Sequence, residues 1–246
     1  APNGESASSP ILEVTNLKKY FPIVRGLVRR KVGDVRAVDG VSFQIQKGET
    51  LGLVGESGCG KSTTGRVILQ LDRATEGSVK YEGEELVGKN AGQMRVLRPN
   101  MQMVFQDPHA SLNPRMTVAS IIEEPLIEHR FGNRAERLAW IEELLGLVGL
   151  SPTHANRYPH EFSGGMRQRL MIALTLVLRP SFVVADEPTT ALDVLVEAQI
   201  IRILHDLRDT FDTSLLLITH NLGIVAEACD RVAVMYAGKI VEIGPD

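Results

Sequence analysis

Three things are scarce in this 246-residue chain: cysteine, long apolar runs and an excess of charge of either sign. Cys59 and Cys229 are its only cysteines. That leaves no disulfide framework and no paired thiolates for zinc or an iron–sulfur cluster, and it suits a reducing cytoplasm. No stretch of about 18 apolar residues occurs, so no segment reads as a membrane-spanning helix, and any membrane role is expected to come through partners. A net charge of −3 from 27 basic and 30 acidic residues argues against a polyanion-binding surface, and nucleic acid is not an expected partner. The first ten residues carry neither a Met nor the apolar stretch of a secretory signal. Residues 1–10 therefore read as a flexible linker outside the fold. The last residues, Val241 to Asp246, stop just after a strand-like run, as a fragment of a longer protein would. What is plentiful is ordinary: 43% hydrophobic and 23% charged residues suit a globular core.

Apolar and polar residues alternate in Ile11–Val14 and Val41–Ile45, the pattern of half-buried strands. The basic stretch between them, Arg25 to Lys31, reads as a solvated loop. Thr50–Val54, Met101–Phe105, Phe182–Ala185 and Leu215–Thr219 are short, nearly continuous apolar runs, as strands buried on both faces are. Lys61–Leu71, Val118–His129, Arg134–Leu147 and Gly165–Leu178 read as helices. Buried strands separated by helices predict an α/β fold with a mainly parallel sheet. The helical block at 107–180 reads as an insert between core segments 11–106 and 181–246.

Gly55-Glu56-Ser57-Gly58-Cys59-Gly60-Lys61-Ser62 fits the G-x-x-x-x-G-K-[ST] phosphate loop, with the preceding strand and following helix that the motif requires. Its glycines let successive N–H groups face phosphate oxygens. Lys61 offers a point charge to the β- and γ-phosphates, and Ser62 a hydroxyl ligand to Mg²⁺. Thr63 follows at the nucleotide's seat, and Cys59 reads as a small filler. The run Phe182–Ala185 ends in two acids. Asp186 is placed to hold the Mg²⁺ shell, and Glu187 to act as general base on the attacking water. Gln106 ends another strand and can touch Mg²⁺ or water; His220, after Leu215–Thr219, can bond the γ-phosphate and orient Glu187. Asp193 lies in the loop after the acids and equally suits a helix N-cap.

A second glycine pair lies in Phe162-Ser163-Gly164-Gly165-Met166. Helix N-termini present unpaired N–H groups and partial positive charge, so this turn reads as a second anion seat, with Ser163 as hydroxyl donor and Gly164 and Gly165 admitting close approach.

Taken in order, these motifs resemble the nucleotide-binding subunits of ABC transporters over nearly all of Ile11 to Pro245. Phe105–Met116, Tyr158–Arg169 and Val232–Lys239 look most like the ATPases of oligopeptide and dipeptide importers, with nickel and glutathione importers sharing much of the pattern. The resemblance implies a P-loop NTPase core with an antiparallel β subdomain and an inserted α-helical subdomain. It further implies that two subunits pair head to tail with ATP and Mg²⁺ between them. Ser163 and Gly165 of one subunit would then reach the γ-phosphate held by the other's phosphate loop. An aromatic stacks on adenine in this family; Phe21 fits the register and Tyr20 competes. The segment after Gln106 would dock on a transmembrane permease, with an extracytoplasmic solute-binding protein as indirect partner, placing the chain at the cytoplasmic face of the cell membrane. Met166 stands where the family mostly has glutamine, and Leu174-Thr175 where many members carry Arg-Ala.

Two other classes fit less well. ABC ATPases of DNA repair or translation separate their halves by long coiled coils or tandem domains, and only a compact helical block lies between Gln106 and Ser163. A degenerate binding module would lack catalytic groups, yet every catalytic position is filled.

Overall fold

A computed structural model describes residues 9–25, 30–105, 112–189 and 194–245. Two sheets share the core. Strands β1 (Leu12–Arg25), β2 (Arg30–Ile45), β4 (Glu76–Tyr81) and β5 (Glu84–Glu85) form an antiparallel sheet ordered β2-β1-β4-β5. The second sheet holds β3 (Thr50–Val54), β6 (Met101–Val104), β7 (Phe182–Asp186), β8 (Ser214–Thr219), β9 (Arg231–Tyr236) and β10 (Lys239–Pro245), ordered β10-β9-β3-β8-β7-β6. Its pairs are parallel except β10 with β9.

Every residue of β3, β7 and β8 is buried, which explains why they read as continuous apolar runs. Successive side chains still serve opposite faces. Val183, Ala185, Leu215 and Leu217 join one hydrophobic cluster, with the helices of residues 118–207. Phe182, Val184, Leu216 and Ile218 join the other, beneath the antiparallel sheet. Helix α1 (Lys61–Ile68) packs closely on this second face. A Cβ on Gly65 would lie 2.9 Å from both Ile218 Cδ1 and Val184 Cγ1. α1 ends short of Leu71, because Gln70 turns with φ 53° and Arg98 donates to the carbonyls of Leu69 and Gln70.

Helices α2 (Ala91–Leu97), α3 (Val118–Glu128), α4 (Arg134–Leu147), α5 (Gly164–Leu176), α6 (Val194–Phe211) and α7 (Leu222–Ala228) complete the architecture. Asn133 and Glu136 close a capping box at the start of α4, and Thr117 caps α3 through Ser120 N–H. Trp140 ties α4 to its neighbours: it is 4% exposed, donates from Nε1 to Val177 O at 2.9 Å and meets Phe211 edge-on at 5.9 Å. Trp140→Ala is expected to lower stability by about 3–5 kcal/mol. Thermal unfolding should then shift down by roughly 10 °C; an unchanged midpoint would show that the site repacks.

The basic segment departs from the expected loop. Arg25 pairs with Arg30, and Val24 with Lys31, in a hairpin of 14- and 16-residue strands. Residues 26–29 lie outside those described. The strands continue far past Val14 because register shifts between Val14 and Leu17, Lys19 and Tyr20, and Ile23 and Val24 break the two-residue alternation that marks a strand in sequence. None of the described helices is long and apolar enough to cross a membrane.

Candidate nucleotide site

The phosphate loop runs from the end of β3 into α1. Three of its glycines, Gly55, Gly58 and Gly60, have φ of 154°, 79° and 109°. Two of them are also walled in. A Cβ at Gly55 would sit 2.1 Å from Met235 O, and one at Gly60 would sit 2.1 Å from Ala37 O. Ala37 is the extra residue at a hairpin bulge, between the pairs Lys19–Val38 and Tyr20–Arg36. The antiparallel sheet thus reaches directly onto the loop.

Lys61 is 4% exposed, and its ammonium donates to Gly55 O at 2.8 Å and Glu56 O at 2.9 Å. Cys59 Sγ lies 3.9 Å from that ammonium, buried as the filler its size suggested. Ser62 Oγ donates to Asp186 Oδ1 at 2.8 Å. Burial raises the Asp186 carboxyl above the usual range; the Ser62 hydroxyl opposes this, the neighbouring Glu187 charge adds to it, and Lys61 and Arg66 oppose it. A dication would relieve that desolvation. The hydroxyl and carboxylate oxygens of Ser62 and Asp186 are hard donors of the kind Mg²⁺ takes. The residues present therefore fit the ion that the sequence implies.

Glu187 follows at the tip of β7 with φ 45°, and its N–H donates to Ile218 O at 2.9 Å. This left-handed turn aims its carboxylate into a cleft of about 210 Å³ shared with Ala37, Ser57, Gly58, Gly60, Lys61, Ser62 and Thr63. His220 Nδ1, beyond β8, stands 3.4 Å from Glu187 Oε1. Parallel pairing of β3 with β8 and of β8 with β7 brings these distant residues together at the carboxyl ends of neighbouring strands.

The Ser163 turn opens a helix away from this cleft. Ser163 caps α5, accepting from Met166 N–H at 3.3 Å, and neither it nor Gly164 or Gly165 lines the cleft. Its helix starts at Gly164, one residue before the expected start. A Cβ on Gly165 would fall 2.7 Å from Val196 Cγ1 of α6. The two aromatic candidates separate. The Tyr20 hydroxyl donates to Asp39, whereas the Phe21 ring is 41% exposed with the Lys19 ammonium 4.8 Å from its centre. Leu174, at the Arg-Ala position, packs on the helical core and lines a groove with Met116, Ile121 and Pro125. Thr175 satisfies its hydroxyl on Met171 O at 2.9 Å. Gln106 and Asp193 fall outside the described residues.

The chain is 53% identical over 234 residues to the oligopeptide transport ATP-binding protein AppF of Bacillus subtilis, covering 95% of this chain and 71% of that protein. It is 50% identical over 241 residues to the glutathione import ATP-binding protein GsiA of Pectobacterium atrosepticum, covering 97% of this chain but only 38% of the longer relative. Among solved structures, the dimeric ATP-binding cassette MJ0796, in a post-hydrolysis state with ADP and Pi, superposes with a TM-score of 0.84 at 27% identity, covering 95% of this chain and 98% of that one. The family model described as ABC transporter matches residues 38–190. With the phosphate loop, the paired acids and His220 together at the carboxyl ends of these strands, the chain belongs to the ABC transporter family.

Proposed function

We propose that the chain is the ATP-hydrolysing subunit of an importer for peptides or related small solutes, working as a head-to-tail pair. One observation carries the chemical half: the adjacent Lys61 and Ser62 and the distant Glu187 line a single cleft, with Asp186 bonded to Ser62. The likeness to AppF and GsiA supports the transport half.

The loop N–H groups hold the phosphates, and Lys61 exchanges its two carbonyl acceptors for β- and γ-phosphate oxygens. Ser62 and Asp186, together with Gln106 as the sequence suggests, would hold Mg²⁺, which would supply charge neutralisation for the leaving diphosphate. Glu187 accepts a proton from the water that attacks the γ-phosphorus, as the bond to ADP breaks. His220, beside Glu187, holds that carboxylate in position. Phe21 stacks on the adenine.

Ser163 and Gly165 stand outside the cleft that they are suited to complete, which supports their acting on a partner's nucleotide. Docking of the segment after Gln106 on a permease places the pair at the cytoplasmic face of the membrane, and a solute-binding protein delivers the cargo. Turnover measured against protein concentration tests the composite site. It should rise faster than linearly while dimers form and become linear at saturation. Linear activity across a range in which the protein stays monomeric would contradict the reading.

A further inference from the structure

Arg169 lies one helical turn past Gly165, so both face the same side of α5. Gly165 abuts Val196 of α6, and Arg169 reaches three residues further along that helix, donating from Nη2 to Gln199 Oε1 at 2.6 Å. Its other terminal nitrogen, Nη1, donates to Gly149 O at 3.2 Å. Gly149 ends α4 with φ 71°, and a Cβ there would lie 2.6 Å from that Arg169 nitrogen. One planar guanidinium therefore pins α5 to the C-terminal end of α4 and to the second turn of α6, with its charge at the carbonyl-rich terminus of α4. α6 in turn is tied to the turn after the acids, since Thr189 Oγ1 donates to Glu197 Oε1 at 2.8 Å.

The core does not need this clamp. Leu170, Met171, Ile172 and Ala173 already bury the middle of α5. Hydrogen bonds at a half-exposed surface add little stability. What the core leaves open is the direction of the first turn, where Ser163 is exposed and Gly164 to Arg167 are half-buried. A donor turn acting on a phosphate must be held closely, because a shift of about 1 Å costs on the order of 10²-fold in rate.

We propose that Arg169 is a positioning residue for catalysis on the partner's nucleotide: through Gln199 and Gly149 it sets the direction of the Ser163–Gly165 turn. This rests on the composite site proposed above.

Paired variants separate the two ideas. The reference mixture combines a Gly165→Asp chain with a Lys61→Ala chain, so that each working site uses the phosphate loop of the first and the signature turn of the second. Arg169→Ala is then added to one chain at a time. On the Gly165→Asp chain, whose own turn is already disabled, turnover should match the reference. On the Lys61→Ala chain, which supplies the working turn, turnover should fall about tenfold. Gln199→Ala, which leaves the Gly149 contact in place, should show the same asymmetry more weakly and covers the case in which Arg169→Ala does not fold. Equal losses on both chains would reduce Arg169 to a structural role, and no loss on either, or loss only on the first, would also overturn the proposal. A reference mixture without recovered turnover would instead refute the composite site.

Discussion

Glu187→Gln is expected to lower ATP turnover by roughly 10²–10⁴-fold, the usual contribution of a general base. Nucleotide affinity should stay within a few-fold of the parent, and closed dimers should accumulate with ATP. The amide keeps the side chain's size and can still meet His220, now 3.4 Å from the carboxylate. The backbone N–H to Ile218 O does not depend on the side chain. Only the capacity to take a proton is lost. Single-turnover hydrolysis beside an equilibrium binding measurement separates the two effects, and turnover close to the parent's would remove Glu187 as the base.

Mixing two inactive variants should restore activity. Lys61→Ala removes the ammonium from the cleft. Gly165→Asp places a side chain where even a Cβ meets Val196 at 2.7 Å, and sets a negative charge at a turn suited to phosphate. Each homodimer has two damaged sites. The mixed dimer has one site carrying both defects and one carrying neither. With random pairing, equal amounts should recover up to about a quarter of the parent's turnover, since half the dimers are mixed and each has one intact site. No recovery, with mixed dimers present by native mass measurement, would mean that the signature turn serves its own chain.

Much of this was legible in sequence because the motifs obey local rules. Strands β3, β7 and β8 are buried on both faces, so they appear as short apolar runs wherever they pair. The phosphate loop needs glycine at fixed positions, and its strand and helix flank it directly. The hairpin was not legible, since its bulges erase the alternation that defines a strand by eye. Phe21 and Tyr20 could not be separated by spacing, because the difference lies in Asp39, a residue brought close only by pairing of β1 with β2. Helix α6 does carry a stripe legible in sequence, Ile200, Ile201, Leu204 and Leu207, at helical spacing. Arg169 gave no signal beyond its place beside the signature, because its partners, Gly149 and Gln199, lie 20 and 30 residues away.

The carbonyls of Ala37 and Met235 that crowd Gly60 and Gly55 bear on how nucleotide-free controls are chosen. Any side chain at these glycines would push against main chain from two other strands, whatever it did to phosphate. A variant at Gly60 that neither binds nor turns over ATP would therefore say little about the nucleotide, since local unfolding gives the same readout. Lys61→Ala removes a charge without adding an atom and leaves both carbonyl walls untouched. It is the cleaner blank against which to read every other substitution in the site.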